Sequence, residues 1–137
     1  MNFWLKQATV GILCASGVAL ASAATVHVRL SGRQEVPAVA TRAWASGTLT
    51  IKPDGRVSGA IHVHHVLPTM AHIHEGPAGK NGPPILWLKH TRGDTWVVPK
   101  GAKLTATQYK SYLAGDLYLN VHSKAHPGGA IRGQIRP

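Results

Sequence analysis

Nine histidines stand in this chain of 137 residues, and their spacing is where chemistry could reside. His62-Val63-His64-His65 is followed within a dozen residues by His72-Ile73-His74, and His122 and His126 stand near the C-terminus. A histidine repeated at every second position of an extended segment puts two imidazoles on one face, because strand side chains alternate. Neutral imidazole is the commonest metal ligand among side chains. A His-x-His pair joined by a distant histidine suits copper or zinc, with zinc–nitrogen bonds of ~2.0–2.1 Å. The single cysteine, Cys14, lies in the N-terminal apolar segment. The pattern therefore points to a site built from nitrogen.

Other chemistries find little support. No serine sits in a nucleophile elbow. The five carboxylates, Glu35, Asp54, Glu75, Asp94 and Asp116, form no obvious acid–base pair.

The elements that must position the histidines begin after residue 23. Lys6 supplies a positive start, 8–19 is small and apolar, and Ala21-Ser22-Ala23 fits a cleavage site. Residues 1–23 thus read as a secretory signal peptide. The apolar stretch is short for a membrane span, so no transmembrane anchor is expected after cleavage. Residues 24–137 are expected to form a single periplasmic or extracellular domain. Without Lys6 there remain 14 basic and five acidic side chains, a net charge of +9. The basic residues are scattered, and no nucleic-acid module is visible. Partners consistent with that charge are anionic surfaces or a protein, with no specific nucleic acid.

Alternation and turn signals predict strands near 25–30, 46–51, 57–66, 71–73, 85–89, 95–98, 116–122 and 130–135. Pro53-Asp54-Gly55 predicts the turn of a hairpin within 46–66. Arg92-Gly93-Asp94 reads as a second hairpin turn. Thr105 and Gln108 form a capping-box signature ahead of one short helix that Gly115 ends. The expectation is an all-β fold, an antiparallel β-sandwich or barrel of about seven or eight strands with one short helix.

Parity assigns faces. Ile61, Val63 and His65 share one face, and His62 and His64 take the other. Ala71 and Ile73 face the core, and His72 and His74 point away. If Leu67-Pro68-Thr69 closes a hairpin, His64 lies opposite His72 and His62 opposite His74, with Cβ atoms ~5 Å apart. Leu117, Leu119 and Val121 read as core, leaving Tyr118, Asn120 and His122 outward, with His126 on the turn beyond. The candidate ligands are His72, His74, His122 and His126, extended by His62 and His64. His65 reads as structural, and His27 and His90 as surface residues.

Several motifs resemble the CHRD domain, the module first noted in chordin. Leu30-Ser31-Gly32-Arg33-Gln34-Glu35-Val36-Pro37 is similar to its opening. Ala71-His72-Ile73-His74-Glu75-Gly76-Pro77-Ala78-Gly79 is similar to its central motif. Residues 117–122, His126-Pro127-Gly128-Gly129 and Ile131-Arg132-Gly133-Gln134-Ile135 are similar to its ending. The resemblance spans nearly all of 24–137. It implies a β-rich extracellular or periplasmic domain, no particular activity, and His72, His74, His122 and His126 as natural site residues. Two departures stand out. Ala130 occupies a position that is often acidic, and His62, His64 and His65 replace Thr, Ser or aliphatic residues.

Three functions stay open on this reading. One is a copper or zinc carrier, buffer or resistance protein. Another is a non-metal module binding proteins or polyanions. The third is a copper enzyme whose layout loosely resembles copper–zinc superoxide dismutase, a likeness of architecture that does not establish function.

Overall fold

A computed structural model describes residues 14, 16–17 and 21–137. Most of the expected signal peptide lies outside the described residues. Among those described, no helix is long and apolar enough to cross a membrane.

The elements in chain order are β1 (Ala24–Ser31), a 3-10 turn at Gly32–Gln34, β2 (Trp44–Ile51), β3 (Val57–His64), β4 (Pro68–Glu75), β5 (Pro84–Trp87), β6 (Lys89–His90), β7 (Thr95–Val97), α1 (Ala106–Leu113), β8 (Leu117–Ser123) and β9 (Ile131–Ile135). All nine strands join one antiparallel sheet in the order β5-β4-β8-β9-β1-β2-β3-β7-β6. The fold is all-β with one short helix, and the strand count is nine, slightly above expectation.

The two ends of that order are consecutive in sequence. Only Leu88 separates β5 from β6, and its N–H donates to the Ala71 carbonyl at 2.9 Å. A single stretch, 84–90, thus pairs with β4 on one side and β7 on the other, bringing the sheet close to a closed barrel.

Alternation fills the interior. Val26, Val28 and Leu30 of β1, Leu49 and Ile51 of β2, and Ile61 and Val63 of β3 are buried. Leu117, Leu119 and Val121 of β8 join them, with Ile131 and Ile135 of β9. Opposite Leu49 stands Gly59, whose φ of 133° is open to glycine. A Cβ there would lie 2.1 Å from the Thr48 carbonyl oxygen, so a side chain at this crossing would force β2 and β3 apart.

The predicted turns and helix form. Gly55 takes φ 91° between β2 and β3, and Gly93 takes φ 58° between β6 and β7. Both halves of the capping box are made: Gln108 N–H donates to Thr105 Oγ1 at 3.1 Å, and Thr105 N–H donates to Gln108 Oε1 at 2.9 Å. Thr105→Ala removes one of these bonds and is expected to cost ~1 kcal/mol of unfolding free energy in a denaturant titration.

Three expectations are corrected. First, β3 and β4 do not form a hairpin. β4 lies between β5 and β8, and β3 lies between β2 and β7. The stretch 84–97 occupies the space between them, so the short link 65–67 is a corner and Pro68 already belongs to β4. Second, His65 does not face the core. It takes φ 59° at that corner and is exposed, because the strand's alternation ends at His64. Third, His72, His74, Tyr118, Asn120 and His122 do leave the barrel interior, yet all are buried. Loops cover the outer face of β4, β8 and β9, and every residue of β8 is buried.

Candidate metal centre

β4 and β8 run side by side with Met70 opposite His122, His72 opposite Asn120 and His74 opposite Tyr118. This register places two histidines of one strand and a third from its neighbour on a single face. His72, His74 and His122 are 5%, 7% and 6% exposed. They offer one ligand nitrogen each, all within 4.8 Å of one another.

Hydrogen bonding decides which nitrogens are free. His74 Nδ1 lies 2.9 Å from the Gly82 carbonyl oxygen, and His122 Nδ1 lies 2.8 Å from that of Pro127. A carbonyl can only accept, so both rings carry their proton on Nδ1 and keep a lone pair on Nε2. His122 Nε2 then accepts from His72 Nδ1–H at 3.1 Å. The Nε2 atoms of His72 and His74 are buried without a partner. An unsatisfied buried polar atom costs ~1–3 kcal/mol. A cation is a partner suited to such lone pairs, and an ion held by one nitrogen of each histidine would replace the single His72–His122 hydrogen bond. Donation of the second ring N–H to a backbone carbonyl is also how metal-binding histidines are usually oriented.

Burial, first, and then the His122 and His74 imidazoles lower the His72 pKa to about 4. Burial also lowers that of His74, against the opposing pull of the Gly82 carbonyl. Both rings are therefore neutral at ordinary pH, the form that ligates.

The carbonyls that orient the rings are themselves held. The Tyr118 ring stacks on His74 at 4.8 Å, and the Arg132 guanidinium lies over the Tyr118 ring, 3.5 Å from its centroid. Tyr118 hydroxyl accepts from Gly82 N–H at 3.0 Å and donates to Gly82 O at 3.2 Å. Arg132, 1% exposed, donates to the carbonyls of Lys80 and Pro77 at 2.9 Å each. Gln134 Nε2 donates to Gly76 O at 2.8 Å. The loop bearing Gly82 is thereby tied to β8 and β9.

The Pro127 carbonyl is fixed from the other end. Asn120 Nδ2 donates to the Glu35 carboxylate and, at 2.9 Å, to Ile131 O. Glu35 is buried, which raises its pKa despite the Asn120 hydrogen bond and the Arg132 charge. Its carboxylate presses on Gly129, where a Cβ would lie 2.7 Å from Oε1. Only glycine lets the 127–129 turn come this close, and that turn carries the acceptor for His122.

The other sequence candidates lie elsewhere. His126 is half-buried in the turn, where its carbonyl accepts from Gly129 N–H at 3.0 Å, and it is outside the three-histidine group. His62 and His64 are on the outer face of β3, 3.5 and 3.8 Å from Asp94. His62 also approaches Thr95 Oγ1 at 3.1 Å, and His64 stacks on Trp44 at 4.1 Å. Neither joins the group on β4 and β8. Sequence reading passed over Glu35, Gly82, Arg132 and Gln134 as parts of this site. Arg132 and Gln134 had a visible signal, since they alternate with Ile131, Gly133 and Ile135 and so share one face.

The sequence pattern of the CHRD domain matches residues 26–135, and the chain belongs to that family. No curated protein and no solved structure matches it.

Proposed function

We propose that this CHRD domain is a periplasmic or extracellular binding protein for copper or zinc, acting as a carrier, buffer or resistance factor. The observation that supports this reading is the arrangement of His72, His74 and His122. Three buried imidazoles converge, two have their Nδ1–H held by backbone carbonyls, and two Nε2 atoms lack any partner. Three protein nitrogens leave one position of a tetrahedral site for a further ligand. The sequence signal for secretion agrees with such a role.

Calorimetric titration of metal-stripped protein with Cu(II) and Zn(II) tests it. One site per chain is expected, lost in the His72→Ala/His74→Ala double variant and retained in His62→Ala/His64→Ala. Binding that survives the first pair and disappears with the second would reject the centre on β4 and β8.

A further inference from the structure

We infer that Met70 supplies a fourth, sulfur ligand to this centre and makes it selective for cuprous copper. The inference rests on the metal-binding reading above and adds the identity of the ion.

The argument starts from register. Met70 is two residues before His72 and directly opposite His122, so it shares the face of all three histidines. The ladder slips between Pro68 and Met70, and pairing is regular from Met70 onward. Met70 is 46% exposed although it is apolar. Trp87, opposite His72 on β5, is 56% exposed and meets the His72 ring edge-on at 5.5 Å. Two of the large exposed apolar side chains therefore flank one polar cluster. Burying them in the barrel is impossible from this face, and leaving them in water costs free energy. A soft ion gives the thioether a partner. Thioether sulfur selects Cu(I), whereas zinc in proteins is held by imidazole, thiolate or carboxylate. The binding involves no electron transfer: Cu(I) enters and leaves as Cu(I). Met70 marks the mouth of the centre, since it is the one exposed member of the group.

The composition makes the test sharp. The chain has one cysteine, Cys14, and two methionines, Met1 and Met70. Within 24–137 the only sulfur atom is that of Met70. Full-length Cys14→Ser protein is loaded with Cu(I), and the copper X-ray absorption spectrum is compared with that of the same protein carrying Met70→Leu. A copper–sulfur path that Met70→Leu removes is expected. In parallel, competition against a chromogenic Cu(I) chelator is expected to show roughly 10-fold weaker Cu(I) binding in Met70→Leu, with Zn(II) affinity unchanged. Circular dichroism checks that both variants fold. Copper bound by nitrogen alone, with equal Cu(I) affinity in both proteins, overturns the inference and leaves the three-histidine reading standing. Absence of both Cu(I) and Zn(II) binding overturns the two together.

Discussion

Saturating the metal-stripped protein with its ion is expected to raise the midpoint of thermal unfolding by on the order of 15 °C. Binding to the folded state alone stabilises it by about 4 kcal/mol when free metal is about 1,000 times Kd. A domain near 110 residues gains ~4 °C per kcal/mol. The physical source is specific. Two buried Nε2 atoms that lack partners in the metal-free protein acquire one. His74→Ala removes one ligand and one orphaned nitrogen together, so most of the metal-dependent rise should vanish with it. Differential scanning calorimetry at matched free-metal concentrations reads both effects. A rise of equal size in His74→Ala would mean the ion sits elsewhere.

Acid is expected to destabilise the metal-free protein by about 3 kcal/mol between pH 6.5 and pH 4. The His72 pKa is about 4 in the folded state, against an ordinary value of 6.5. Between those values the unfolded chain takes up a proton that the folded chain refuses. Stability is therefore complete above pH 6.5 and falls by about 1.4 kcal/mol per unit as pH drops. His74 is shifted in the same direction and adds to the loss. Glu35 works the opposite way: burial raises its pKa, so protonating it favours the folded state and softens the decline toward its acid end. The cause of the slope is the cost of charging an imidazole away from water beside two others. Urea titrations across this range should show it, and His72→Gln, which cannot take up the proton, should flatten it. An unchanged slope in that variant would place the acid response in other groups.

How far the site could be read from sequence follows from what alternation encodes. Period-two patterning tells which face a side chain takes, and it separated Ile73 from His72 and His74, and Val121 from His122. It carries no information about which strand lies alongside. The expected pairing of His62 and His64 with His72 and His74 came from closeness in sequence, and the non-local pairing of β4 with β8 replaced it. Alternation also cannot tell a face open to water from one covered by loops. The cover here depends on Arg132, Gln134 and Glu35 reaching carbonyls and an amide up to 85 positions away, as in Asn120 with Glu35. The capping box and the glycine turns were legible because their hydrogen bonds are local. His65 lay beyond such rules, since its φ of 59° belongs to a corner that non-local pairing creates.

The seam at 84–90 bears on how the margins of this sheet are covered. An open sheet presents two rows of unpaired backbone groups, each a template for adding strands from another molecule. Here both margins belong to one stretch of chain, joined at Leu88, so each margin's neighbour is the other margin's continuation. Protection against edge-to-edge assembly is therefore concentrated in seven residues. Losing that stretch, by a proteolytic nick or an intruding proline, would uncover both templates at once. The damage would also be thermodynamic, because Leu88 of the seam is a buried core residue and Ile85 and Leu86 pack against the core.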